Sequence, residues 1–148
     1  MCSSDLILIS FGATQGLNLD GGGSTVAVAR NLVVNSPSDG SQRPVADALL
    51  VSGDQPSPNP EPVTLTGIPM GILKIGDFFD IKEANGRSTE LGIWGTDGKG
   101  VFVDQGGHAR VQRAGTGKVS LSYPGSDASF VIKAVDPNPP VKPKDRLR

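Results

Sequence analysis

The chain has 148 residues, a formal net charge of −1, a single histidine and a single cysteine, Cys2. A charge so close to zero gives no electrostatic basis for binding nucleic acid, and no apolar run is long enough to span a bilayer. One cysteine excludes a disulfide framework and a thiolate metal site, while 20 glycines, 12 prolines and 5% aromatic residues favour strands and turns over long helices.

The first six residues, 1–6, look like the translated end of a common sequencing adapter, and the alternative is a genuine short N-terminus. On the adapter interpretation, native sequence begins at Ile7, inside a longer gene. Residues 7–11 are mostly apolar and precede Gly12. This pattern fits either the end of a helix with glycine at its C′ position or a short strand.

Three consecutive glycines, Gly21, Gly22 and Gly23, lie between Asp20 and Ser24. Such a run is costly to order, so a folded protein keeps it where φ must be positive or where a ligand approaches the backbone closely. Three unobstructed N–H groups can face an anion such as phosphate, and Ser24 can add a hydroxyl donor. The alternative is a tight turn in which Asp20 caps local N–H groups. A nucleotide-binding loop is excluded, because the lysine that reaches the phosphates is missing.

Apolar alternation after the glycines predicts strands over residues 25–29 and 32–34, joined by a tight turn at 30–31. A stretch rich in serine, proline, aspartate and glycine predicts a loop over 36–41. Residues 46–51 are again apolar and predict the last strand of this part of the chain.

Polar side chains near this loop are candidates for substrate contacts. Arg43 can present a bidentate fork to a phosphate or carboxylate, and the alternative is a surface ion pair with Asp39 or Asp47. The amides of Asn18 and Asn35 can contact sugar hydroxyls or, equally well, pair with the backbone.

Composition changes at residues 53–62, a proline-rich stretch that predicts a linker and a domain boundary. Beyond it, short alternating strands separated by Asn-Gly, Asp-Gly, Gly-Gly and Pro-Gly turns predict a β-sandwich over residues 63–135. The predicted strands cover 63–65, 78–81, 91–94, 101–103, 109–111, 118–123 and 129–135. Residues 136–148 form a proline-rich basic tail that we expect to be disordered.

This second region resembles bacterial immunoglobulin-like (Ig-like) domains without the disulfide. The matching blocks are LKIGD at 73–77, IW at 93–94, AGTG at 114–117 and ASFVI at 128–132. The resemblance implies that Trp94 is the core aromatic residue and that Gly115 marks the turn before the penultimate strand. The alternative for Trp94 is a platform for carbohydrate.

His108 lies in a Gly-Gly turn without a partner histidine or cysteine, so we interpret it as a solvated loop residue rather than a metal ligand. The spacing of Asp97, Asp104 and Asp127 fits no EF-hand loop. We therefore expect no metal site and no cofactor.

Residues 12–51 resemble the C-terminal part of the phosphodiester glycosidase family, the family of N-acetylglucosamine-1-phosphodiester α-N-acetylglucosaminidase. The matching blocks are GATQG at 12–16, LNLDGGGST at 17–25, VNSPSDG at 34–40, RPVA at 43–46 and ALLV at 48–51. The resemblance implies a mainly β chain in which residues 7–52 are the tail of a truncated α+β catalytic domain, followed by the Ig-like β-sandwich. Within that tail, it favours a helix ending near residue 11 that leads into a strand at 17–20.

The resemblance also implies hydrolysis of a glycosidic bond in a sugar-1-phosphodiester, such as one in a cell-wall polysaccharide, by a secreted or cell-surface protein. Such hydrolysis usually needs two carboxyl groups, and we expect Asp20 to be one of them. The expected substrate-binding residues are Asn18, Gly21, Gly22, Gly23, Ser24 and Arg43. Since the matching stretch is short, we expect the second carboxyl group upstream and this chain to be inactive alone. The alternative function is a non-catalytic Ig-like adhesion or polysaccharide-binding module.

Overall fold

The computed structural model describes residues 10–12, 14, 22–39, 42–54, 56–88 and 90–139. Its strands within these ranges are β1 (Val28–Ala29), β2 (Leu32–Val33), β3 (Leu65–Thr66), β4 (Ile72–Lys74), β5 (Phe78–Asp80), β6 (Lys82–Glu83), β7 (Ile93–Thr96), β8 (Val101–Val103), β9 (His108–Val111), β10 (Gly115–Tyr123) and β11 (Ser126–Val135). A 3₁₀ turn over Gly22–Ser24 precedes them. The predicted mainly β class is therefore confirmed. The expectations for residues 1–9, 17–20 and 140–148 lie outside the described residues.

The largest sheet has the strand order β1-β2-β7-β10-β11-β4. At its centre, β10 and β11 form a long antiparallel hairpin whose register runs from Gly115 opposite Ala134 to Tyr123 opposite Ser126. Strand β7 pairs antiparallel with β10, and β4 pairs parallel with β11. Two smaller sheets have the orders β5-β9-β8 and β3-β6.

One hydrophobic core joins the six-stranded sheet to the β5-β9-β8 sheet. Strands β8, β9 and β10 bury mainly alternate side chains, as expected where one face of a sheet packs against another layer. The buried cluster consists of Ile81, Trp94, Val101, Val103, Ala109, Val111, Val119, Leu121, Tyr123, Ile132 and Ala134. The prediction that Trp94 belongs to the core is confirmed.

The hairpin of β1 and β2 precedes the proline-rich stretch in the sequence, yet it pairs with β7, which follows that stretch, and so extends the large sheet. Its turn residues Arg30 and Asn31 both have positive φ, 47° and 63°, as a two-residue type I′ turn requires, and the predicted turn is confirmed. Val33 is buried and pairs with Thr96 of β7. The Arg30 guanidinium also donates to the carbonyl oxygens of Leu91 at 2.8 Å and Ser122 at 2.9 Å.

A close approach of backbones allows this docking. A Cβ atom on Gly95 would lie 2.6 Å from Cβ of Leu32, so only glycine leaves room for β2 beside β7 at this position. None of the described residues forms a helix long and apolar enough to cross a membrane.

The structure corrects several sequence-based predictions. Residues 46–51 form no strand, and Leu50 is 87% exposed, because no neighbouring strand among the described residues pairs with this segment. Strands β4 and β6 are not among the predicted strands, since they have only three and two residues and each contains a lysine. Gly115 is the first residue of β10, the penultimate strand, and directly follows the turn that it was expected to mark. His108 is the first residue of β9 and does not lie in a loop.

Candidate functional site at the glycine turn

The structure describes part of the predicted site. The substrate-binding candidates within the described ranges are Gly22, Gly23, Ser24 and Arg43. The predicted catalytic carboxyl and two of its neighbours lie outside the described residues: Asn18, Asp20 and Gly21.

The second half of the glycine run forms a single 3₁₀ turn over Gly22–Ser24. The turn is closed by Thr25 N–H, which donates to the Gly22 carbonyl oxygen at 3.3 Å. Gly22 has a φ of +72°, in the left-handed region that side chains with a Cβ avoid. The positive φ expected of the glycine run is therefore found at this residue.

Gly23 is buried, and the carboxyl group of Asp39 packs directly against its backbone. A Cβ atom on Gly23 would lie 2.3 Å from Asp39 Oδ2, so any larger residue would displace the carboxylate. Arg43 forms an ion pair with the same carboxylate, and the two side chains are 60% and 34% exposed for Arg43 and Asp39. The glycine turn, a carboxylate and a guanidinium thus meet at one place on the surface.

The sequence indicates Asp39 only as an ion-pair partner of Arg43 and does not predict its contact with the glycine turn. The available signal was an aspartate four residues before an arginine in a polar loop. That signal could not indicate the contact with Gly23, because the two residues are brought together by the fold and not by local spacing.

A cavity of about 330 Å³ lies beside this carboxylate. Its walls are Ser36, Pro37, Ser38, Asp39, Gln112 and Arg113. The Gln112 side-chain amide donates to the Ser36 hydroxyl, which links the loop to the end of β9. The cavity offers hydroxyl, amide, carboxylate and guanidinium groups, a set that suits a polar ligand with several hydroxyl or phosphate oxygens.

Asn35 supports the segment that follows the turn. Its Oδ1 accepts from Ala27 N–H at 2.9 Å, and its Nδ2 donates to the Thr25 carbonyl oxygen at 2.8 Å. The interpretation of Asn35 as an amide that pairs with the backbone is confirmed.

Away from the glycine turn, His108 is exposed, and its Nδ1 lies 2.8 Å from Asp80 Oδ1. The hydrogen bond with Asp80, together with the negative charge of Asp104, raises the pKa of His108 above its usual value. Within the described residues, no group of three or more histidine, cysteine, aspartate or glutamate side chains is placed to hold a metal ion.

Comparison with known proteins relates the first part of the chain to one family. Residues 4–52, about a third of the chain, match the sequence model of the phosphodiester glycosidases. The match contains the whole glycine run and Arg43, and it begins within the six residues interpreted as adapter. No curated protein and no solved structure matches the chain. The N-terminal third of this chain is thus similar to the phosphodiester glycosidase family, which indicates a glycosidase-type hydrolase at the level of the family.

Proposed function

We propose that residues 7–52 are the C-terminal part of a phosphodiester glycosidase domain and that the protein containing them hydrolyses the glycosidic bond of a sugar-1-phosphodiester. The observation that carries this proposal is the family match over residues 4–52. The convergence of the glycine turn, Asp39 and Arg43 supports it, because a guanidinium can bind a phosphate and a carboxylate can accept from sugar hydroxyl groups.

In this proposal Asp20 supplies one of the two carboxyl groups that glycoside hydrolysis usually needs. The N–H groups of the glycine run and the Ser24 hydroxyl bind the substrate phosphate, and Asn18 contacts the sugar. The Arg43 guanidinium has five N–H donors. The ion pair with Asp39 uses only some of them, so the remaining donors can bind a phosphate oxygen.

The second catalytic carboxyl group comes from outside the 148 residues in this proposal, and the chain is inactive alone. Residues 53–62 link this part to an Ig-like β-sandwich over 63–135, which acts as a spacer or an adhesive module of a secreted or cell-surface enzyme. The shared core of the two facing sheets supports the sandwich assignment.

The test begins with resequencing of the source DNA upstream of the Ile7 codon. A longer chain read from that DNA should release free sugar from the methyl ester of N-acetylglucosamine 1-phosphate or of another sugar 1-phosphate. The 148-residue chain should release none. Asp20→Asn in the longer chain should lower turnover at least about 100-fold without loss of folding, because a positioned acid or base contributes a factor of this size.

Two results would overturn the proposal. One is a reading frame that does not continue upstream of the Ile7 codon. The other is an Asp20→Asn variant with undiminished turnover. The alternative, a polysaccharide-binding module without chemistry, is favoured by a separate cavity in the second region, whose lining includes Trp94 and Tyr123.

A further inference from the structure

A second cavity, of about 420 Å³, opens in the region beyond the proline-rich stretch. None of its lining residues belongs to the stretch that matches the glycosidase family. Its lining includes Glu83, Arg87, Gly92, Trp94, Gln105 and Tyr123. The volume lies within the range of about 300–1,000 Å³ that is usual for small-molecule sites.

Two polar groups on residues that line the cavity have no hydrogen-bond partner among the described residues. Trp94 and Tyr123 are each only 5% exposed. Over the described parts of the chain, no hydrogen bond reaches the indole N–H of Trp94 or the hydroxyl of Tyr123. Buried tyrosine hydroxyls and tryptophan N–H groups usually find a partner, so these two donors are available to a group inside the cavity.

The Tyr123 hydroxyl lies at the cavity wall formed by Gly92. A Cβ atom on Gly92 would lie 2.8 Å from Cζ of Tyr123 and 3.0 Å from its hydroxyl oxygen. Since both residues line the cavity, the absence of a side chain at this glycine leaves room for the phenol.

The surrounding groups are held rigidly. The Gln105 side chain accepts from the backbone N–H of Trp94 at 3.0 Å and donates to the backbone carbonyl oxygen of Trp94 at 2.8 Å, so both polar atoms of its amide are used. The Arg87 guanidinium lies 4.2 Å from the centroid of the Tyr123 ring and donates to Ser126 Oγ at 2.8 Å. A ligand therefore meets a preformed wall and costs little ordering of side chains.

The charges in the wall largely compensate one another. Burial alone would raise the pKa of Glu83, but hydrogen bonds from the backbone of Arg87, Asn85 and Thr64 outweigh it and hold the pKa below its usual value. Glu83 is thus an ionised acceptor beside the positive Arg87. Lys82, the remaining charged residue of the lining, is exposed to solvent.

Tyr123 is a neutral donor in the same wall. Burial, and then the charge of Glu83, raise the pKa of its phenol above the usual value. The wall therefore presents two unpaired donors, one carboxylate acceptor and apolar ring surface. This combination suits an uncharged ligand that carries several hydroxyl groups on an apolar ring frame.

We propose that this cavity is a saccharide-binding site that takes one neutral sugar ring. Ring hydroxyls accept from the Tyr123 hydroxyl and the Trp94 indole N–H and donate to Glu83, while the C–H face of the sugar packs on the aromatic wall. The choice of a sugar over other neutral polyhydroxyl compounds rests on the proposed function.

The test uses the fluorescence of the chain itself. The protein has one tryptophan and one tyrosine, and both line the cavity, so the emission of Trp94 reports directly on the site. The 148-residue chain is titrated with glucose, galactose and N-acetylglucosamine. We expect a saturable change in emission with a dissociation constant in the millimolar range for at least one of them.

Variants identify the site. Tyr123→Phe keeps the ring and removes the hydroxyl, and it should weaken binding about 3- to 10-fold, the usual effect of one hydrogen bond. Arg87→Lys should also weaken binding, because it disturbs the packing on Tyr123. The matched control is Arg110→Lys, whose guanidinium lies 5.3 Å from the Phe78 ring on another strand and should leave binding unchanged. Thermal unfolding of each variant verifies the fold.

The proposal is overturned if none of the three sugars gives a saturable change in the original chain, which would mean that the cavity holds solvent only. It is also overturned if folded Tyr123→Phe binds as tightly as the original chain. Sugar binding without turnover in the longer chain would refute the proposed hydrolysis alone, and turnover without binding would refute the saccharide site alone.

Discussion

The two regions on either side of the proline-rich stretch differ in how their apolar residues are used. Among the described residues between 22 and 54, Val33 and Pro37 are the buried apolar side chains, and Leu49, Leu50 and Val51 are largely exposed. Between residues 63 and 135, two long strands and their neighbours enclose a continuous core. The first region contains the glycine turn and the family match, whereas the second supplies the packing.

This difference shows that an apolar run forms a strand or joins a core only where another part of the chain packs against it. The first region has its β1–β2 hairpin because β7 accepts β2 at its edge and Arg30 binds carbonyl groups of the second region. Four predictions test this division of roles, in order of decreasing effect.

The largest effect is expected from a matched pair of leucine truncations. Leu121 is 2% exposed, and Leu121→Ala should lower the free energy of unfolding by about 2–5 kcal/mol, because it leaves a cavity in the core. Leu50→Ala, at an exposed position, should change it by less than about 0.5 kcal/mol. Urea denaturation of both variants measures the contrast. Equal changes in the free energy of unfolding for the two variants would contradict the conclusion that only the second region has an apolar core.

The next effect concerns the glycine turn. Gly23→Ala places a Cβ atom on the Asp39 carboxylate and should destabilise the turn by about 1–3 kcal/mol through overpacking. The control is Gly53→Ala, where nothing lies within 4 Å of the added atom. Adding Asp39→Gly should relieve the clash, and a double-mutant cycle read by hydrogen exchange at Thr25 measures the coupling. Additive effects would contradict the contact.

A smaller effect is expected at the junction of the regions. Arg30→Met removes two hydrogen bonds from a charged donor to the carbonyl groups of Leu91 and Ser122. The hairpin should lose about 1–3 kcal/mol of local stability, measured by hydrogen exchange of the Val33 and Val34 amides. Arg110→Met serves as the control. Unchanged protection would mean that Arg30 does not hold the hairpin.

The smallest effect is a pH dependence in the second region. The hydrogen bond with Asp80 raises the pKa of His108, so the protonated pair stabilises the folded state below the usual histidine pKa of about 6.5. This contribution should disappear as the pH rises through the folded pKa. NMR titration of the His108 ring should show a raised pKa that Asp80→Asn returns toward the usual value. An identical pKa in both proteins would contradict the pair.

Local patterns in the sequence predicted what local geometry controls. Two adjacent residues at 30–31 predicted the turn, and the long alternations predicted β10 and β11, whereas the core position of Trp94 followed from the resemblance to Ig-like domains. The false strand at 46–51 and the contact between Gly23 and Asp39 depend on residues distant in sequence, so no local pattern could predict them. The unpaired polar groups of the second cavity could not be foreseen for the same reason.

The large sheet ends in very short strands, since β1 has two residues and β4 has three, while the central strands have nine and ten. A short edge exposes few unpaired N–H and carbonyl groups to another chain. The hairpin that carries β1 and β2 therefore shields β7 from intermolecular pairing. Loss of this hairpin would turn β7 into an open edge and make the protein prone to aggregate.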